Sequence, residues 1–193
     1  RDRTIRTIRT FRTAIRRQIE SRSAAVEQTV ARRTLTLGAQ HYSRDDHVVW
    51  QQALGKKGWL PYTWPKKHGG PGFDVTQRFL FENVLAEEGA PRIIPFGVKM
   101  VGPVIYTFGN DAQKERFLPD LASGRKLAGF ALTEPEAGSD AYEIKSRAVS
   151  QPDGSWVLNG EKRYIGNGSK GDVFTAFARC EVDGKDRHIA LIL

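Results

Sequence analysis

One stretch of the chain, from Ala131 to Asp140, combines residue types that suit ligand binding. It begins in the apolar run 129–133, whose composition is typical of a buried strand. Pro135 then interrupts strand hydrogen bonding, and residues 137–139 are Ala, Gly and Ser, whose small side chains leave their amides accessible. The spacing predicts a strand that ends in a turn presenting backbone groups to a ring or a phosphate. The alternative interpretation is an ordinary turn at the end of a strand, with no role in ligand binding.

The elements that would position this turn change in character near residue 125. Upstream, apolar spacing and capping residues predict helices over residues 8–38, 45–57, 74–88, 94–108 and 111–123. Downstream, short β-branched or aromatic runs predict strands over residues 126–133, 144–150, 155–158, 162–165, 173–179 and 188–193. The turn sequences between them favour tight hairpins: Pro152-Asp153-Gly154, Asn159-Gly160, Asn167-Gly168 and Asp183-Gly184.

The order of these elements, helices first and strands second, predicts an α+β fold. We expect an all-α helical domain over residues 1–125, with residues 1–10 as a frayed basic arm, and an antiparallel, β-barrel-like domain over residues 126–193. No Gly-x-Gly-x-x-Gly motif follows a predicted strand, which argues against a doubly wound dinucleotide-binding fold.

The net charge of +8 belongs to the start of the chain. Residues 1–44 hold eleven Arg and three acidic residues, whereas the remaining 149 residues are balanced. Phe11 and Tyr42 are the aromatic residues of this arm, too few for a base-stacking surface, so we expect no nucleic-acid partner. The mature end of a targeting segment is one interpretation of this arm. The apolar residues Ile8, Phe11, Ile15 and Ile19 fall on one helical face, however, which favours a solvated amphipathic first helix with a frayed start. No run approaches the ~20 apolar residues of a membrane span.

Cysteine and histidine usage points away from disulfide and metal chemistry. Cys180 is the sole cysteine and lies in an alternating run, which predicts a strand residue of the core in a protein of a reducing compartment. The four histidines show no ligand spacing with one another or with Cys180, so the sequence predicts no metal site. We expect the cytoplasm as the location, or the mitochondrial matrix in a eukaryote.

Several blocks of sequence, in order, resemble the acyl-CoA dehydrogenase family, whose members use FAD to desaturate acyl-CoA thioesters. The blocks are Gly58-Trp59-Leu60, Trp64 to Gly72, Gln113 to Pro119, Ala131 to Asp140 and Leu158 to Gly168. Together they cover nearly the whole chain, from about residue 10 to residue 193. The resemblance implies the fold expected above and identifies the chain as a fragment, because family members are about twice as long and end in a helical bundle.

The resemblance also implies FAD-binding residues. Phe130, Ala131, Leu132 and Thr133 would run along the isoalloxazine ring, and Gly138 and Ser139 would meet the FAD phosphates, Ser139 also the pantetheine arm of the substrate. The second flavin-facing segment would contain Tyr164, Ile165 and Gly166. Most family members have tryptophan and threonine where this chain has Tyr164 and Gly166, so Gly166 offers flavin N5 a backbone amide and no hydroxyl.

The implied reaction is the α,β-dehydrogenation of an acyl-CoA, with an electron-transfer flavoprotein as electron acceptor and a homodimer or homotetramer as the assembly. The family's base is a glutamate expected beyond Leu193, so we assign no catalytic residue here and expect Glu134 and Glu136 to be structural. An acyl-CoA oxidase or flavin monooxygenase on the same fold remains an alternative. So does a non-catalytic assembly subunit that uses the arm Arg1–Arg17.

Overall fold

Helices form the first half of the fold. The computed structural model describes residues 10, 12–17, 44–88 and 90–193, and residues 12–17 are helical. Four further α-helices lie in the described part: α1 (Arg44–Gly55), α2 (Val75–Glu87), α3 (Gly102–Phe108) and α4 (Asp111–Ser123). A π-helix (Phe96–Val101) leads directly into α3. The predicted helices at 45–57, 74–88, 94–108 and 111–123 are confirmed, whereas most of 8–38 lies outside the described residues.

Capping residues determine where α2 and α4 begin. The Asp74 carboxylate accepts a hydrogen bond from the Gln77 amide at 2.8 Å, and the Gln77 side chain accepts one from the Asp74 amide at 2.9 Å. Asn110 and Gln113 repeat this arrangement at the start of α4. Each capping box satisfies two backbone donors that a helix start otherwise leaves without partners. Gly124 ends α4 with a φ of 74°, the left-handed conformation that glycine adopts most easily.

The helical segment 12–17 packs on the other helices through one apolar and two charged side chains. Ile15 is fully buried in a core cluster with residues of α1 and α2. Arg12 and Arg16 both form ion pairs with Glu87 at the end of α2. These pairs are partly exposed to solvent, so the burial of Ile15 contributes more to stability than the charges do.

In the part of the chain that the structure describes, five strands form one sheet: β1 (Ala128–Ala131), β2 (Arg147–Ser150), β3 (Trp156–Asn159), β4 (Val173–Val182) and β5 (Lys185–Ile192). β5 pairs antiparallel with one edge of β4, and β1 pairs parallel with the first half of the other edge. β2 reaches that second edge at Arg179 and pairs antiparallel with β3.

The predicted α+β order is confirmed, but the sheet is mixed and not antiparallel throughout. β1 and β4 are joined by a connection that itself contains β2 and β3, and a crossover of that length allows parallel pairing. The hairpin prediction holds between β4 and β5, where Asp183 and Gly184 have φ values of 52° and 68°. Positive φ at both turn residues is the geometry that matches the twist of paired strands.

Two core clusters hold the layers together. The first lies among the helices and includes Ile15, Phe81 and Val84; the second includes Trp64, Ile105 and Val173 and joins α3 and α4 to the sheet. Cys180 is buried in the sheet, as predicted for a core residue. Among the described residues, no helix has the length and apolar character needed to cross a membrane.

Candidate functional site

The predicted strand-and-turn unit is present at the end of β1. β1 ends at Ala131, and the Glu134 amide donates to the Ala137 carbonyl at 2.9 Å, which closes a turn over residues 134–137. Phe130 packs its ring against Phe177, with centroids 4.8 Å apart, and lies against the second core cluster.

A buried carboxylate organises the chain around this turn. Glu134 is 6% exposed, and its Oε2 accepts a hydrogen bond from the Lys145 amide at 2.6 Å. Its Oε1 accepts bonds from the Ser146 amide at 3.0 Å and from Lys162 Nζ at 2.7 Å. Lys162 Nζ also donates to the Leu132 carbonyl at 3.0 Å. We call this arrangement the Glu134 hub, since one carboxylate joins three separate stretches of chain.

The hub lowers the pKa of Glu134. Burial alone would raise that pKa, but the Lys162 ammonium and the amides of Lys145 and Ser146 outweigh burial and lower the pKa from 4.5 to about 2. Glu136 is exposed, and its ion pair with Lys145 lowers its pKa too. A carboxylate that holds its proton so weakly is a poor proton acceptor at neutral pH. This chemistry suits a structural role for both glutamates.

The strand predicted at 162–165 is wrong, and so is the hairpin predicted at Asn159-Gly160. β3 ends at Asn159, and the chain continues as an irregular segment, residues 160–167. Tyr164 and Asn167 have φ values of 58° and 63°. This left-handed conformation cannot continue a strand, and it is uncommon for a tyrosine.

Hydrogen bonds fix the segment 160–167 beside β1. The Arg163 amide donates to the Thr133 carbonyl at 2.9 Å, and Asn167 Nδ2 donates to the Ala128 carbonyl at 2.9 Å. With the bond from Lys162 in the hub, these contacts override the strand propensity of the segment. The two stretches that sequence analysis assigned to the flavin therefore lie side by side.

Several backbone groups at this place have no partner in the described part of the chain. They are the amides of Gly138, Ser139, Ile165 and Gly166. We call the exposed edge that they form with the Thr133 and Tyr164 side chains the rim. Tyr164 is 88% exposed, and a Cβ added to Gly138 would meet nothing within 4 Å. Ile165 and Gly166 are partly exposed, and donors without a protein acceptor make this surface suited to a ligand.

Some of the predicted site residues lie in this rim and others lie in the core. Ala131 is buried in the sheet, and Leu132 and Thr133 are partly exposed where β1 has ended. Sequence reasoning missed Lys162 and Asn167, whose side chains hold the second segment in place. The sequence does show Lys162 as a basic residue within the second motif, and Glu134 needs a basic partner. Together these two features could have pointed to Lys162.

The chain is similar to known proteins over nearly its whole length. Residues 7–125 match the family model described as acyl-CoA dehydrogenase, N-terminal domain, and residues 129–193 match the acyl-CoA dehydrogenase, middle domain. A protein of Bacillus subtilis strain 168 named acyl-CoA dehydrogenase is 34% identical over 163 residues, which are 82% of this chain and 42% of that protein.

Solved structures show the same likeness in three dimensions. The ChsE4-ChsE5 complex from Mycobacterium tuberculosis matches with a TM-score of 0.76 and 27% identity, over 94% of this chain and 46% of that one. An acyl-CoA dehydrogenase from Bacillus anthracis, complexed with FAD, matches with a TM-score of 0.65 and 29% identity, over 97% of this chain and 30% of that one. The chain thus spans less than half the length of these proteins.

Proposed function

Because the chain belongs to the acyl-CoA dehydrogenase family, we propose that it supplies part of the FAD and acyl-CoA site of an enzyme that desaturates acyl-CoA thioesters. The observation that carries the proposal is the rim, where unpaired amides from two segments lie beside the end of β1. The Glu134 hub fixes both segments, so the donors are positioned before a ligand arrives.

The residues of the rim suit FAD. The amides of Gly138 and Ser139 are exposed donors for the phosphates, and the open space around Gly138 lets an anion approach the backbone. The Thr133 hydroxyl and the amide of Gly166 would face the polar edges of the isoalloxazine, and Tyr164 would cover its face. Bound FAD would accept the hydride that leaves the β carbon of the substrate.

We place the catalytic base outside residues 1–193. The lowered pKa values of Glu134 and Glu136 favour this assignment, because abstraction of a proton α to a thioester needs a carboxylate that accepts protons near neutral pH. Ser139 would then contact both the FAD phosphates and the pantetheine arm of the acyl-CoA.

We also propose the organisation of the whole protein. It would comprise a helical domain at residues 1–125, a flavin-facing β domain at 126–193 and a further helical part. It would act as a homo-oligomer that passes electrons to an electron-transfer flavoprotein in the cytoplasm or the mitochondrial matrix. Support comes from the multi-chain ChsE4-ChsE5 relative and from the free, buried thiol of Cys180, which fits a reducing compartment.

Replacement of Gly138 by valine tests the cofactor site. A β-branched side chain would shield the amides of residues 138 and 139, so Gly138→Val should abolish FAD retention by the whole protein. Because nothing lies within 4 Å of a Cβ there, folding should be unaffected. FAD content after gel filtration and the thermal unfolding curve are the measurements, with Gly138→Ala as a smaller control. Normal FAD content in a folded Gly138→Val protein would refute the proposed site.

A further inference from the structure

The space beside Gly166 is already filled by another side chain. A Cβ placed on Gly166 would lie 2.1 Å from Cζ and 2.4 Å from Cε2 of Phe96. These distances are far below van der Waals contact between carbon atoms. The Phe96 ring therefore occupies the volume that any side chain at position 166 would need.

Phe96 reaches this position from the helical half of the molecule. It is the first residue of the π-helix, a widened helical turn that occurs frequently at functional sites. The next residue, Gly97, faces the sheet and α4, because a Cβ there would lie 3.8 Å from Ala128 Cβ and 3.7 Å from Leu121 Cδ2. The base of the Phe96 side chain is therefore held close to β1.

The other side of the segment is equally confined. A Cβ on Gly129 would lie 3.2 Å from the Gly166 carbonyl oxygen and 2.3 Å from Cε1 of Phe174. Gly166 therefore lies between the Phe96 ring and the backbone of β1. Its amide is unpaired within the described residues, so Gly166 can offer a ligand this backbone N–H but no side-chain donor.

We infer that Phe96 is a positioning residue of the flavin site: its ring takes the place of a side chain at position 166, so the site presents an amide beside an apolar ring instead of a hydroxyl. The inference rests on the proposed function. The ring packs against the rim segment and covers one side of Gly166. Beside an apolar ring the local dielectric is low, so a hydrogen bond from the Gly166 amide to the flavin edge would be stronger than in water.

A double-mutant cycle on the whole protein tests this pairing. Gly166→Thr alone should weaken FAD binding at least tenfold, because the new side chain collides with Phe96. Phe96→Ala/Gly166→Thr should bind FAD within threefold of the wild type, since the collision is gone. The rescued variant should also shift the flavin midpoint potential, because a hydroxyl would replace the apolar ring. A tenfold change in the relative affinity for oxidised and reduced flavin equals about 30 mV for two electrons.

Gly129→Thr provides the matched control. The side chain nearest to an added Cβ at Gly129 is Phe174, at 2.3 Å, so Phe96→Ala should not rescue the FAD binding of Gly129→Thr. If Gly166→Thr weakens FAD binding equally with and without Phe96→Ala, or if the rescued variant keeps the wild-type potential, the inference is overturned while the proposed function stands. If the wild-type protein itself binds no FAD, the proposed function is refuted, and the inference that rests on it is refuted with it.

Discussion

The Glu134 hub and the rim are neighbours in the chain, yet they differ in the pairing of their polar groups. In the hub, a buried carboxylate has three donors within 3.0 Å. In the rim, the amides of residues 138, 139, 165 and 166 have no acceptors in the described structure. The contrast distinguishes the groups that hold the backbone in place from the groups that are available to recognise a ligand. Groups that fix the backbone are fully paired, and groups left unpaired are the ones available to a ligand.

The comparison predicts that the hub determines stability. Glu134→Gln would leave the Lys162 ammonium largely buried without its counter-charge, and breaking a pair of this kind should lower the free energy of unfolding by roughly 3 kcal/mol. Glu136→Gln is the matched control, because Glu136 and its partner Lys145 are both exposed, and the unfolding free energy should stay unchanged within the error of the measurement. Urea unfolding measures both. Equal losses in the two variants would remove the distinction between hub and surface.

The contribution of the hub to stability should also depend on pH in the acidic range. The pKa of Glu134 is about 2 in the folded protein, against an ordinary value of 4.5. A depressed pKa means that the stabilisation is complete above pH 4.5 and is lost as the pH falls towards 2. That difference corresponds to roughly 3 kcal/mol. The unfolding free energies of the wild type and Glu134→Gln should therefore converge over this range, and a constant gap would contradict the assignment.

Much of the fold could be predicted because its signals are local. α4 spans residues 111–123 as predicted, since Asn110 and Gln113 cap its start and Gly124 ends it. The Asp183-Gly184 turn likewise specifies its hairpin through backbone preferences alone.

The candidate site was less predictable, because its conformation depends on distant partners. Residues 162–165 have strand propensity, but Lys162 bonds to Glu134 and Arg163 to Thr133, and these contacts impose an irregular path. The position of Phe96 against Gly166 depends on how the π-helix meets β1. No pattern within either segment encodes such contacts, so the sequence could suggest candidate residues but not their arrangement.

A substitution in the rim should change binding and leave stability intact. Ser139 is exposed, and its hydroxyl has no partner in the described structure. Ser139→Ala should weaken FAD affinity at least about tenfold, the loss expected for one hydrogen bond to a charged phosphate, with unfolding free energy within about 0.5 kcal/mol of the wild type. Ser169→Ala, an exposed serine outside the rim, is the control and should change neither quantity. Fluorescence titration of FAD would measure the affinities.

The smallest expected effect concerns Tyr164, whose φ of 58° places a large side chain in the left-handed region. The unfavourable conformation is maintained by the contacts of its neighbours, so it stores strain at the rim. Tyr164→Gly should relieve that strain and raise the unfolding free energy of the FAD-free protein by about 0.5 kcal/mol, after allowing for the greater freedom of glycine in the unfolded chain. Tyr164→Phe keeps the strain and should not. If Tyr164→Gly instead destabilised the FAD-free protein, the Tyr164 side chain would be contributing packing to the fold. Its 88% exposure argues against such packing. That result would contradict the distinction between a paired hub and an open rim.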